Sequence, residues 1–238
     1  MKNALDILEE RGFLYQFTDY NVLKKHLQTE QVTFYVGFDP TASSLHIGHL
    51  LPVMAMRILQ SCGHKAIALV GGATGMVGDP SGKSEARPVL SRDEIDANAA
   101  AIRAQLTRFL DFSDDRALLV NNADWLADLN YIDFLRDVGR HFSINRMLSM
   151  ESVKMRLETG GLSFLEFNYM LLQAYDFAIL NRKYGCTLQL GGQEQWGNIV
   201  AGIDLTRPLR QCVVYAGTFL LLFTANAPKF GKIASGAV

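Results

Sequence analysis

Two histidines three residues apart stand in the run Leu45-His46-Ile47-Gly48-His49. At a helix start they would share one face, where unpaired N–H groups and the positive end of the helix dipole add to their own donors, and that combination suits a phosphate. Gly48 leaves out a side chain where a flat ring could approach the backbone. Taken alone, the same pattern also fits two ordinary polar side chains at a helix start. A helical zinc pair needs the spacing i, i+4 and an acidic neighbour, and neither holds, so no metal site is expected here. The stretch Gly78-Asp79-Pro80-Ser81-Gly82-Lys83-Ser84 has three residues between its glycines instead of the four of a phosphate-binding P-loop. GGATG likewise lacks the GxGxxG spacing of a dinucleotide site, which removes the main support for a dehydrogenase. Near the end, Lys229-Phe230-Gly231-Lys232 offers two cations around a glycine, an arrangement that by itself is most often a solvated surface loop.

These residues need elements to hold them. Residues 4–10 and 19–28 carry apolar positions at helical spacing, with Gly12 as a stop and Thr18 or Asp19 as a cap, so two short helices lead in. Residues 32–38, VTFYVGF, read as a strand that breaks at Asp39-Pro40-Thr41 before a helix starting near Gly48. A second strand, residues 66–70, ends in the Gly-rich GGATGMVGDPSGKS. Strand, helix and strand with Gly-rich loops at strand C-termini point to a doubly wound parallel sheet of the α/β class. Residues 93–110 follow as a helix, 117–122 as a strand, 132–158 as a charged and largely helical insertion, 163–180 as a long helix, 187–192 as a strand and 195–206 as a helix. The apolar run 213–223 is about half the roughly 20 residues a membrane helix needs and reads as a buried strand. The strands at 32–38, 66–70, 117–122 and 187–190 are expected to be neighbours, with His46 to His49 at a helix N-terminus close to Asp39 and Gly192.

At 238 residues and 49% hydrophobic the chain can bury one sizeable core, and without repeats or a low-complexity linker it reads as one α/β domain with an insertion. A net charge of −1 gives no global positive field, so any RNA contact must come from a local patch. Cys62, Cys186 and Cys212 match no metal or CxxC spacing and are expected as thiols in a reducing cytoplasm. The N-terminus carries charges and no continuous apolar segment of the kind a secretion signal needs, and no membrane span is expected.

HIGH after the first strand and KFGK after the last resemble, in order and spacing, the two signature motifs of the class I aminoacyl-tRNA synthetases. YVGFDPTASSLHIGHL, ALVGGATGMVGDPSGK, FLRDVGRHFSINRML, YMLLQAYDF and LQLGGQEQWGNI are similar to bacterial-type tyrosyl-tRNA synthetases, and the similarity runs from about residue 5 to 209. The resemblance implies a Rossmann-like catalytic domain over residues 1–238, with N-terminal helices at 1–30 and an insertion at about 123–160 that also forms a homodimer interface. It implies that tyrosine is activated by ATP and passed to tRNA(Tyr). On matching positions, Tyr35 and Asp176 would meet the phenolic hydroxyl, and Asp79, Tyr169 and Gln173 the ammonium group. Gly37, Asp39, Gly48, Gln189, Gly192, Glu194 and Gln195 would surround ATP. Thr41, His46 and His49 would approach the phosphates from one side and Lys83, Arg87, Lys229 and Lys232 from the other, with Mg2+ carried by phosphates and water.

The chain departs from the family pattern in three places. Glu194 stands where aspartate is usual, Ile233 where a hydroxyl residue follows the second lysine, and the run before KFGK lacks the usual proline and Asp-Gly turn. The anticodon-reading domains of the family are not expected within these 238 residues, and slow adenylate formation with poor tRNA charging is the expectation. A tryptophan enzyme of the same fold, another HIGH-bearing nucleotidyltransferase and a catalytically silent dimerising or RNA-binding module are the rival readings.

Overall fold

The computed structural model describes residues 2–81, 90–159 and 161–221. Six strands form one sheet: β1 (Leu14–Phe17), β2 (Thr33–Phe38), β3 (Lys65–Val70), β4 (Ala117–Asn121), β5 (Cys186–Gly192) and β6 (Tyr215–Phe219), in the order β1-β6-β5-β2-β3-β4. Strands β2 to β6 pair in parallel, and the four expected strands are neighbours. β1 was not expected. Its four residues lie between the two lead-in helices and pair antiparallel with β6, so the sheet is parallel except at this edge. A stretch so short and half-exposed carries no alternation strong enough to separate it from a connector.

Helices α1 (Ala4–Glu10) and α2 (Tyr20–Thr29) lead in, α3 (Ile47–Ser61) joins β2 to β3, and α4 (Thr74–Val77) is a single turn after β3. α5 (Arg92–Leu106) opens on a capping box between Ser91 and Glu94 and stops short of the expected residue 110, in a turn over 107–110. The insertion is a chain of short pieces, α6 (Ala123–Leu126), α7 (Tyr131–Asp137), α8 (Ile144–Leu148) and α9 (Glu151–Thr159), with a 3-10 turn at Gly139–His141. α10 (Phe164–Tyr184) starts on a capping box of Ser163 and Glu166 and runs past the expected residue 180 until Gly185, whose φ of +63° is the left-handed conformation that ends helices. α11 (Trp196–Arg210) continues through Pro208, beyond the expected residue 206.

Alternation along β2 divides the core. Phe34, Val36 and Phe38 bury on the side of α1, α2 and α3, and Tyr35 buries on the other, against Phe177 of α10. Each such aromatic or aliphatic side chain removed from water contributes about 1.5–3 kcal/mol, which holds the helices carrying the polar residues at fixed distances from the sheet. A third cluster docks Phe134, Val138, Met147 and Val153 of the insertion onto Met170, Leu171 and Ala174 of α10. Arg156 of α9 and Glu166 of α10, both buried, form an ion pair of 2.8 Å that ties the insertion to the start of α10. All three cysteines are free thiols. Among the described residues, no helix is long and apolar enough to cross a membrane.

Candidate active site

A cavity of about 330 Å³ opens at the C-terminal ends of β2 and β5, between the start of α3 and the inner face of α10. β2 has β3 on one side and β5 on the other, so the chain leaves it in both directions and a crevice forms where the connections part. Every described residue that the resemblance assigned to a substrate lines this cavity. Lys83, Arg87, Lys229, Lys232 and Ile233 lie outside the described residues.

At the cavity floor Tyr35 and Asp176 are both buried. Among the described residues the Tyr35 hydroxyl has no hydrogen-bond partner, and a buried polar group left in that state costs about 1–3 kcal/mol. The Asp176 carboxylate accepts from Asn122 Nδ2 at 3.0 Å and from Trp125 Nε1 at 2.7 Å. Burial pushes the Asp176 carboxyl up to about 7; the Asn122 and Trp125 donors pull against it and the nearby charge of Asp39 adds to it. Burial, with the charge of Asp176 beside it, also lifts the Tyr35 phenol well above its usual range, so Tyr35 is a neutral donor.

From the floor a line of hydrogen bonds climbs the wall. Asn122 donates to Thr74 Oγ1 at 2.9 Å and accepts from the Ala73 N–H at 2.9 Å; Thr74 donates to Asp39 Oδ1 at 3.2 Å. Tyr169 donates to the other Asp39 oxygen at 3.0 Å. Tyr169 was expected at the ammonium group and Asp39 at the nucleotide, so one hydrogen bond joins the two subsites. A Cβ at Gly71 would strike Asp39 and Thr74, which is why no side chain fits there.

The opposite wall carries Asp79, which accepts from Gln195 Nε2 at 2.6 Å and from the Ser81 N–H at 2.9 Å. Gln173 Nε2 donates to Gln195 Oε1 at 3.3 Å. Gln195, assigned to ATP by resemblance, therefore stands in the cluster of Asp79 and Gln173. Gln189 also lies deeper than a nucleotide contact suggests: it pairs in register with Tyr35, is 2% exposed, and its carbonyl oxygen is buried without a partner among the described residues.

At the mouth, His46 caps α3 and His49 is the third residue of the helix. His46 Nδ1 accepts from the Gly48 N–H at 3.1 Å and His49 Nδ1 accepts from the His46 N–H at 3.2 Å. With both Nδ1 atoms used as acceptors, the neutral rings carry their protons on Nε2. The rings stack with centroids 3.9 Å apart. Across the mouth, a Cβ on Gly37 would meet nothing within 4 Å, whereas one on Gly192 would strike the Glu194 carboxylate, which folds back over that glycine.

Sequence reasoning did not single out Asn122, Trp125, Thr74 or Asn198. Asn122 directly follows the C-terminal end of β4, where ligands gather in such sheets, and that position was the one available signal. The others are recognisable only from bonds to residues far away in the chain.

The sequence matches the model of the tRNA synthetases class I (W and Y) over residues 27–238. The chain belongs to this family. It is 56% identical over all 238 residues to the tyrosine–tRNA ligase of Clostridium botulinum (strain Eklund 17B / Type B), and it spans 58% of that protein's length. To the tyrosine–tRNA ligase of Fusobacterium nucleatum subsp. nucleatum it is 55% identical over 238 residues, again 58% of the longer chain. A C-terminally truncated Aspergillus nidulans mitochondrial tyrosyl-tRNA synthetase superimposes with a TM-score of 0.85 at 32% identity, covering 97% of this chain and 72% of that one. The Archaeoglobus fulgidus tyrosyl-tRNA synthetase complexed with L-tyrosine shares the fold, with a TM-score of 0.70 at 19% identity over 97% of this chain and 71% of that one. The class I synthetase reading accounts for a cavity at the strand C-termini walled by glycine-rich turns and capped by paired histidines.

Proposed function

We propose that this chain binds tyrosine and ATP in the cavity and joins them as tyrosyl-adenylate, the first half of tyrosine–tRNA ligation, and that the tyrosyl group then passes to the terminal ribose of tRNA(Tyr). The observation that carries the reading is the buried pair at the cavity floor. A phenol has one proton to give and lone pairs to accept, and the ionised Asp176 and the unpartnered Tyr35 hydroxyl match both. An indole offers a donor only and would leave Tyr35 unsatisfied, and this disfavours tryptophan. With the ring so placed, the ammonium group reaches Asp79, Tyr169 and Gln173 higher in the cavity.

The tyrosine carboxylate is ionised at neutral pH and attacks the α-phosphate of ATP, releasing pyrophosphate. No enzyme nucleophile is needed, so positioning and charge stabilisation supply the rate. His46 and His49 donate from Nε2 toward the phosphates, with Thr41 on the same side; Lys83, Arg87, Lys229 and Lys232, outside the described residues, are the further cations proposed for the phosphates. Gly37 and Gly48 give the adenosine close access to the backbone, and Glu194, folded over Gly192, accepts from a ribose hydroxyl. Asp39 and Asp79 already accept from protein donors, and Mg2+ would come in on the ATP phosphates, where it would neutralise phosphate charge.

A second copy of the chain is the proposed partner. Ile132 and Leu135 of α7 and Ile144 and Leu148 of α8 are exposed, while Phe134 and Val138 are buried. The free thiols fit a reducing cytoplasm. Tyrosine-dependent exchange of labelled pyrophosphate into ATP tests the function. Exchange is expected with tyrosine and not with tryptophan; its absence with both, while the protein is folded, would make the chain a silent module.

A further inference from the structure

Asn198, the third residue of α11, is 4% exposed and stands behind the wall that carries Asp79, Gln173 and Gln195 without lining the cavity itself. Its amide nitrogen donates to Gln173 Oε1 and to Ser81 Oγ, each at 3.1 Å, and lies 3.5 Å from Gln195 Oε1. These contacts end a one-way chain. An ionised carboxylate only accepts, so Asp79 makes Gln195 turn its nitrogen inward, at 2.6 Å. Gln195 Oε1 then faces Gln173 Nε2 at 3.3 Å, and Gln173 Oε1 faces Asn198. Turning either glutamine amide over would set nitrogen against nitrogen and oxygen against oxygen, and turning Asn198 would set its oxygen against that of Gln173.

We infer that Asn198 is a positioning residue that fixes the Gln173 amide so that its carbonyl oxygen, and not its NH2 group, is offered to the ammonium group of the substrate. A carbonyl oxygen has two lone pairs, and Asn198 uses one, which leaves the second for a cation in the cavity. With no donor behind it, only the 3.3 Å bond to Gln195 still opposes turning Gln173 over, and the turned amide would present N–H bonds to the ammonium group, exchanging an attraction for a repulsion. Asp79 sets the direction of the chain at one end and Asn198 closes it at the other. The inference rests on the tyrosine reading above.

The test compares two ligands that differ only in the ammonium group, tyrosine and 3-(4-hydroxyphenyl)propionate, by calorimetry on the wild-type protein, Asn198→Leu and Asn198→Ala. Leucine keeps most of the volume and removes the donor; alanine serves if leucine does not fit. Both ligands are measured on the same sample, so any unfolded fraction cancels from the ratio of the two Kd values. The wild type is expected to prefer tyrosine, and the variants to lose about tenfold of that preference, the scale of one hydrogen bond to a charged group, with the propionate Kd unchanged. Equal weakening of both ligands would make Asn198 a packing residue and overturn the inference. If the wild type binds the propionate as tightly as tyrosine, the ammonium site itself fails and the inference with it. If it binds neither, the tyrosine reading is at fault.

Discussion

Replacing Asp176 by asparagine removes a buried charge that costs the unliganded fold stability at neutral pH. Burial lifts this carboxyl from 3.8 to about 7. An unfolded chain ionises it near the lower value, so between the two values the unfolded state holds fewer protons than the folded state, and stability falls as pH rises. Below the window both states are protonated and the charge exacts nothing; above about 7 the loss is complete. A gap of about three units at about 1.4 kcal/mol each comes to about 4 kcal/mol, of which about 3 kcal/mol falls between pH values of about 4.5 and 8. Asparagine also sets a donor against Asn122 or Trp125, a mismatch of about 1–3 kcal/mol, but that offset does not change with pH. Titrating groups away from Asp176, such as Glu166, whose carboxyl is held low by Ser163 and Arg156 against the effect of burial, act equally in both proteins and drop out. Urea unfolding of the wild type and Asp176→Asn at the two pH values therefore isolates the one group. The variant should gain on the wild type by about 3 kcal/mol as pH rises. A difference constant within about 1 kcal/mol, roughly the uncertainty of extrapolated unfolding energies, would refute the assignment of a costly buried charge to Asp176.

Tyrosine binding should run the opposite way with pH: a bound phenol needs the ionised carboxylate, so its Kd should rise as pH falls below about 7, read by calorimetry. Asp176→Ala should weaken tyrosine use about ten- to a hundredfold and phenylalanine use far less, measured by pyrophosphate exchange; equal losses would make Asp176 structural. Gly37→Val places a side chain in open space at the cavity mouth, so the melting temperature should hold while the KM for ATP rises. Ile132→Asp puts a charge on an exposed apolar residue, and sedimentation at micromolar concentration should shift from dimer to monomer. A wild type that sediments only as monomer ends the dimer reading.

The central strands were legible because they are short apolar runs, and β2, β3 and β5 close on Asp-Pro or glycine while β4 closes on Asn-Asn; the site followed from the rule that places ligands at strand C-termini. β1 was hidden: LYQF has too few residues to show a period, and its pairing with β6 across some 200 positions leaves no local trace. The insertion was legible only as helical, because its pieces of four to nine residues are set by their docking on α10. At the site, the resemblance reached residues that touch substrate in the family, and those carry their own chemistry. Asn122 and Trp125 gain their place from bonds to Asp176 that span 54 and 51 positions, and Asn198 from bonds to Gln173 and Ser81 that span 25 and 117. Amides and an indole are common in any core, so their types alone announce nothing.

The sheet order also bears on how the chain comes off the ribosome. β2 is finished at Phe38, but β5, which takes its second edge, does not begin until Cys186, almost 150 residues later. At about 5–20 residues per second this is an interval of roughly 7–30 s. Throughout it, Phe34, Val36 and Phe38 can collapse onto α3 and β3 while the row of N–H and C=O groups on the far side of β2 stays open to any passing strand. The nascent chain thus holds half a sheet with a raw seam down what will become its middle. The seam and the ligand cavity close in the same event, when β5 slides in. Substrate can stabilise the finished molecule by mass action, but the growing one still lacks Gln189, Gly192 and Glu194, the side of the cavity that β5 and the turn after it bring.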